Sequence, residues 1–575
     1  LGFDVRSAER AEDVAALLAE VPAGERVALV DPRFVGHLHS LRLALTDPRF
    51  PAASVPGALT VKAEARPALA RALAGVPAPA AQVRTASVLA DDIAAALEAQ
   101  DVAVHHPELG SLVATVPADE AAAAAAGRAV AAVDDEAVRL RNAVKSRDGF
   151  FTTHFISPYS RYLARWCARR GLTPNQVTTA SLITALIAAG CAATGTRGGY
   201  VAAGVLLILS FVLDCTDGQL ARYSLQYSTM GAWLDATFDR AKEYAYYAGL
   251  ALGAARGGDD VWALALGAMV LQTCRHVVDF SFNEANHDAT ANTSPTAALS
   301  DKLDSVGWTV WVRRMIVLPI GERWAMIAVL TAVTTPRIVF YALLVGCAFA
   351  ACYTTAGRVL RSLTRRATRT DRAAQALADL ADSGPLAQLV AAKAPRVPGA
   401  PVVAAVGTAA LIATALTQPV GSRQVIVAAL FYAVLSGIAV ARPLKGALDW
   451  LVPPLFRVAE YCTVLILAAR SDVNGALPAA FGLVAAVAYH HYDTVYRIKG
   501  GSGAPPSWLV RLIGGHDGRT LVVTVLAAVL ATRGTDFTLA LTALAAAIAL
   551  VVLVESIRFW VSSGAPAVHD EGETA

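Results

Sequence analysis

The chain has 575 residues, of which 55% are hydrophobic and 17% charged, and its mean hydropathy is +0.48; that balance belongs to a membrane protein. Its net charge of +3 is small and its arginines sit in blocks, so the charge reads as a topology signal and excludes a nucleic-acid partner. The seven cysteines (Cys167, Cys191, Cys215, Cys274, Cys347, Cys352, Cys462) show no C-x-x-C or metal-finger spacing and read as reduced, buried, small apolar residues.

The first 25 residues mix Asp, Glu and Arg through a short amphipathic stretch, so no cleavable signal peptide is expected and the first domain is expected in the cytoplasm. Residues 1–140 read as a small soluble α/β domain. Residues 26–31 (RVALVD) suggest a buried strand before a turn at Pro32; helices are expected over 11–20, 67–74 and 89–98, and further strands over 101–106 and 111–116. His105 and His106 lack a third partner and read as surface residues rather than metal ligands.

From Lys145 the character changes. Phe150, Phe151, Phe155, Tyr159 and Tyr162 mingle with Arg161, Arg165, Arg169 and Arg170, the pattern of an amphipathic helix lying at a membrane surface. Apolar stretches then recur near 177–195, 199–221, 232–254, 261–281, 322–335 and 337–357, which predicts six spans. Arg358, Arg361, Arg365, Arg366, Arg369 and Arg372 follow, so the positive-inside rule places both ends of this block in the cytoplasm. Residues 361–398 read as a polar linker. A second membrane domain, 399–562, repeats the count with apolar stretches near 400–417, 423–441, 447–469, 475–492, 520–533 and 538–559, and 563–575 form a polar tail. The expected fold class is therefore mainly α and polytopic, with about six plus six spans behind a soluble domain.

Between the second and third spans lies Asp214-Cys-Thr-Asp217-Gly218-Gln-Leu-Ala221-Arg222, followed after eight residues by Gly231-x-x-x-Asp235-x-x-x-Asp239. On helices, Asp214 and Asp217 share one face and Asp235 and Asp239 another, so four carboxylates can converge. Crowded beside hydrocarbon, they would repel one another into protonation unless cations neutralised them, and hard oxygen ligands select Mg²⁺, Mn²⁺ or Ca²⁺ over zinc. Two divalent ions fit that charge. Such a pair grips a diphosphate and orients an attacking oxygen. Gly218 and Gly231 remove side chains where a ligand approaches the backbone, Ala221 keeps the face shallow, and Arg222 supplies positive charge. The competing reading, interfacial acids paired with Arg222, Arg240 and Lys242, is the weaker one, because intramembrane acids are functional by default.

This motif resembles that of the CDP-alcohol phosphotransferase family, D-x2-D-G-x2-A-R-x8-G-x3-D-x3-D, at all eight specified positions. The resemblance covers about residues 145–360, where Lys145-x-x-Asp148-Gly149, Thr173-Pro174-Asn175 and Gly321-Glu322-Arg323 also look like family landmarks. It implies a six-helix transferase that moves a substituted phosphate from a CDP-linked donor, CDP-diacylglycerol or a CDP-polyol, to an alcohol or polyol phosphate acceptor, with release of CMP in phospholipid or polyol phosphodiester synthesis. By the same resemblance Asp214, Asp217, Asp235 and Asp239 hold two Mg²⁺ or Mn²⁺ ions, and Asp239 also takes the acceptor proton. Gly218, Ala221, Arg222 and Gly231 would line the CDP site, facing the cytoplasm. A homodimer stays open.

Residues after 446 echo the landmarks: Arg240-x-x-Glu243-Tyr244 recurs as Arg457-x-x-Glu460-Tyr461, His276-x-x-Asp279 as His490-x-x-Asp493, and Arg323 loosely as Arg519. The acids do not recur, and Pro453-Pro454 takes the place of one. The expectation is a catalytically dead repeat of the first block. Two six-helix halves would also suit a transporter or a scaffold, but transporter repeats place polar groups at mid-membrane in both halves, whereas these acids cluster in one.

Overall fold

The computed structural model describes residues 4–8, 11–47, 50–75, 88–145, 148–287, 315–364 and 367–562. The expected tail 563–575, with Arg365 and Arg366, lies outside them.

The N-terminal α/β region contains helices α1 (Ala11–Glu20), α2 (Leu38–Leu45), α3 (Arg66–Ala74), α4 (Leu89–Glu98), α5 (Glu120–Ala131) and α6 (Asp135–Asn142). Its strands are β1 (Val27–Val30), β2 (Val35–Gly36), β3 (Ala52–Val55), β4 (Ala58–Val61), β5 (Val104–His105) and β6 (Ala114–Thr115). The main sheet runs β1-β4-β3-β5, and β2 pairs separately with β6. Strands β3 and β4, absent from the sequence expectation, form a hairpin with Val55 opposite Ala58. Gly57 closes it at φ +85°, a conformation that side chains with a Cβ rarely adopt. Leu59, Leu69, Ile93 and Leu97 pack between sheet and helices. His106 meets Glu98 at 2.8 Å and His105 stacks on Phe50.

One buried histidine makes this domain acid-sensitive. His39 on α2 is 2% exposed, and burial, followed by the nearby Arg139, lowers its pKa from 6.5 to about 4. Between those values the unfolded chain binds a proton that the folded one refuses, so stability falls as pH drops through that window. Hydrogen exchange over α2 should accelerate from pH 6.5 towards 4 beyond the intrinsic chemical rate, and His39→Gln should flatten that excess.

A π-turn at Thr152–Ile156 leads into α7 (Ser157–Arg169), which exposes Tyr159, Tyr162 and Trp166 as an interfacial helix should. Next come α8 (Pro174–Ala193), α9 (Arg197–Ser224), α10 (Thr229–Arg256), α11 (Trp262–Asn286), α12 (Ile320–Val333) and α13 (Pro336–Thr364). Thr173 and Gln176 form a capping box that starts α8, and the left-handed Leu225 stops α9 just beyond the motif.

The stretch read as a linker instead holds α14 (Asp371–Ala381) and α15 (Pro385–Ala391). Asp382 between them is 5% exposed and lies inside the second block. Alanines and leucines at helical spacing bury one face of α14, while its charged residues made the segment look solvated. The chain continues through α16 (Ala400–Thr417), α17 (Arg423–Ala439), α18 (Val452–Arg470), α19 (Ala476–Lys499), α20 (Ser507–Ile513), α21 (Gly515–Leu530) and α22 (Asp536–Ser562).

Among the described residues seven segments, not the expected twelve, are long and apolar enough to cross a membrane: α8, α9, α13, α16, Asp449–Arg470, Ser507–Leu530 and α22. Helices α10, α11 and α19 have the length but carry charges on buried faces; α12 and α17 are short, with 14 and 17 residues. Cysteine behaviour also differs in part, since all seven are free but Cys352 is exposed.

The packing order of the first block recurs in the second. Helix pairs α7–α9, α8–α9, α8–α10, α9–α12, α10–α11, α11–α13 and α12–α13 are matched by α15–α17, α16–α17, α16–α18, α17–α21, α18–α19, α19–α22 and α21–α22. The blocks meet where α11 packs on α18 and α19, and α10 on α19. There His276 Nδ1 lies 2.5 Å from Tyr492 Oη.

Candidate active site

Helix α8 packs against both α9 and α10, and so brings together the ends that carry the acids. Ligand oxygens of Asp214, Asp217 and Asp235 all lie within 4.8 Å of one another. Asp217 is 4% exposed, and its Oδ2 is buried with no hydrogen-bond partner. A buried orphan carboxylate oxygen beside two further carboxylates is the donor set of a hard divalent cation. The residues fit such an ion.

Asp239, the fourth expected ligand, does not belong to this triad. It lies against Asp214 and also makes an ion pair with Lys242, with Oδ1 2.9 Å from Nζ. Lys242 also pairs with Asp214 and donates to Ser181 Oγ on α8. Of the three basic residues weighed as partners for the acids, Lys242 makes ion pairs with Asp214 and Asp239. Arg240 pairs with Glu243 at 3.0 Å, and the Arg222 Nε donates to the Ala143 carbonyl at 2.6 Å.

The expected nucleotide-lining residues divide. A Cβ on Gly218 would meet only the Arg222 guanidinium, at 3.5 Å, so the backbone there is open to a ligand. At Gly231 a Cβ would stand 2.8 Å from both Asn175 Oδ1 and Ser228 Oγ; this glycine admits the Thr173-Pro174-Asn175 segment as well. Ala221 is 8% exposed and packs inward. The remaining landmarks touch each other: a Cβ on Gly149 would collide with the Glu322 carboxylate, which accepts from the Phe151 N–H at 3.2 Å.

Behind the acids, Glu243 is gripped from two sides, by Arg240 and by Arg323 Nε at 3.1 Å. The second block contains the same clamp. Glu460 accepts from Arg457 at 2.8 Å and from Arg519 Nε at 2.6 Å, and Asp382 joins Arg519 at 2.7 Å. In the shared Arg-x-x-Glu register, Asp235, Asp239 and Lys242 correspond to Val452, Phe456 and Ala459. All three are 0% exposed and apolar. These positions hold packed core, next to the Pro453-Pro454 pair expected at one of them. His490 pairs with Asp382, His516 contacts Tyr432, and Asp493 serves Arg497, Ser556 and Trp560, so these groups do not assemble a second metal site.

A cavity of about 650 Å³ opens at the seam between the N-terminal α/β region and the ends of α7 and α9, lined by Arg42, Thr46, Glu136, Arg139, Arg169 and Tyr223. Sequence reading gave no sign of it, because its walls come from three separate regions of the chain.

Residues 171–336 match the family model for CDP-alcohol phosphatidyltransferase. This segment is a CDP-alcohol phosphatidyltransferase domain. Residues 371–575 match a family of unknown function (DUF5941). The chain is similar to the phosphatidylinositol phosphate synthase of Streptomyces avermitilis, with 34% identity over 130 residues, 21% of this chain and 51% of that protein. It is also similar to the enzyme of the same name from Mycolicibacterium smegmatis, 35% over 122 residues, or 21% and 53% of the two chains. The bifunctional IPC transferase and DIPP synthase of Thermococcus kodakarensis is 34% identical over 113 residues, 20% of this chain and 25% of that one. The chain thus spans about half the length of the first two relatives and a quarter of the third. The CDP-alcohol phosphatidyltransferase match includes α8 to α12 and every acid of the motif; the N-terminal α/β region lies outside it.

Proposed function

We propose that the protein transfers a substituted phosphate from a CDP-linked lipid donor to a phosphorylated polyol, releasing CMP, at the centre formed by α8, α9 and α10. The observation that carries this reading is the convergence of Asp214, Asp217 and Asp235 oxygens within 4.8 Å at the motif positions of a CDP-alcohol phosphatidyltransferase domain. A divalent ion bound by these three residues would neutralise the donor diphosphate and polarise its phosphorus. Gly218 leaves room for the nucleotide, Arg222 sets a cation beside it, and Asp239 is the general base for the acceptor hydroxyl. Inositol phosphate is the acceptor suggested by the two similar synthases. The test is CMP release from purified protein with CDP-diacylglycerol or a CDP-polyol as donor and inositol phosphate or glycerol phosphate as acceptor; no release with any pair, with or without Mg²⁺, rejects the reading.

The second block is read as a copy of the same helix arrangement that has lost its chemistry, leaving one centre per chain. The recurring packing order, the paired Arg–Glu–Arg clamps and the apolar Val452, Phe456 and Ala459 support this. A transporter reading has no comparable support, since the acids occupy one block only.

The centre is assigned to the cytoplasmic side, because the arginine-rich flanks 161–170 and 358–372 are best placed there. Asp371, whose side chain is 94% exposed, offers the probe; Ser362 is buried against Trp450. Asp371→Cys in a chain lacking Cys352 should resist membrane-impermeant thiol reagents in intact cells and react after permeabilisation. Labelling in intact cells would invert the topology.

A further inference from the structure

The acid quartet already holds a cation of its own. Lys242 is fully buried, at 0% exposure; its ammonium donates to Asp214 Oδ1 and to Ser181 Oγ at 3.2 Å, and makes an ion pair with Asp239 Oδ1 at 2.9 Å. The ammonium sits 5.5 Å from the Trp324 ring, which closes its remaining side. A buried ammonium cannot abandon such partners without leaving an uncompensated charge in the interior.

We propose that Lys242 is a resident cation which takes the position a second divalent ion would need, so that the quartet binds one ion, on Asp214, Asp217 and Asp235. This rests on the reading that the acids bind a divalent ion at all. The geometry divides the four carboxylates unequally: three converge, while Asp239 stands beside Asp214 in an ion pair with the ammonium. A second ion shared by Asp214 and Asp239 would require oxygens that Lys242 occupies. Mg²⁺ sits about 2.0–2.1 Å from its oxygen ligands, so an ion on those same oxygens would stand against the ammonium nitrogen at a distance where like charges repel strongly. Lys242 is then a positioning residue: it aims Asp239 through their ion pair, and it limits the metal count.

The experiment is Mn²⁺ binding by the full-length protein in nanodiscs, read by isothermal titration and by electron paramagnetic resonance. The wild type should bind one Mn²⁺ per chain with a mononuclear spectrum. Lys242→Met, which keeps the stem and removes the charge, should admit a second Mn²⁺ and show an exchange-coupled signal, while Lys242→Arg should stay at one. Two Mn²⁺ in the wild type overturn the inference and leave the ion-binding reading intact, and because this measurement needs no variant it stands even if Lys242→Met fails to fold. Asp217→Ala separates the two ideas, since its binding should fall at least tenfold. Equal Mn²⁺ binding by wild type and Asp217→Ala would reject the acid cluster as the ion site, and the inference with it.

Discussion

Asp239→Asn should slow CMP release by about 100-fold or more, the scale on which a positioned general base acts, with a much smaller change in donor KM. The substitution keeps the shape of the side chain and one oxygen 2.9 Å from Lys242, but removes the lone pair that accepts the acceptor's proton. Because Asp239 stands outside the Asp214–Asp217–Asp235 triad, Mn²⁺ affinity should change little. Steady-state CMP release and Mn²⁺ titration on the same preparation measure the two effects separately. A rate above about a tenth of wild type would be too fast for a lost base.

The largest effect on stability is expected far from this centre, at Glu460→Gln. Glu460 is 2% exposed and neutralises both Arg457 and Arg519, which also lean on Asp382. Replacing its charge leaves two buried guanidinium groups facing one carboxylate, and breaking a buried ion network of this kind costs about 3–5 kcal/mol. The midpoint of thermal unfolding in nanodiscs should drop markedly, while the rate of CMP release per folded molecule stays within about twofold, since nothing in the clamp touches the donor. A tenfold fall in that rate with unchanged unfolding would mean that the second block takes part in the chemistry.

Much of the site was legible because its chemistry constrains residue type and spacing together. Carboxylates three and four apart on two helices can do little else in a membrane domain than meet a cation, and the structure brings three of them together. The part played by Lys242 was only half visible: its three-residue step from Asp239 is a helical neighbour, but its bond to Asp214 joins two helices, and no one-dimensional pattern contains that. Asp382 was missed for a related reason. A short charged segment between apolar runs looks like a linker until tertiary packing supplies two arginines to receive its acid. The β3–β4 hairpin escaped notice because alanine-rich strands have weak strand character, although Pro56-Gly57 was a turn signal.

The hydrogen bond from Arg222 to the Ala143 carbonyl reaches beyond the aligned region. Ala143 lies directly after α6, ahead of the segment that resembles the family, yet it fixes the orientation of a motif guanidinium. The matched segment 171–336 is therefore smaller than the machine. A chain cut at residue 150 would retain the complete eight-position signature while freeing that arginine to swing, and the N-terminal α/β region, through the lever of α6 against α7 and α9, is mechanically connected to the Arg222 end of the acid cluster.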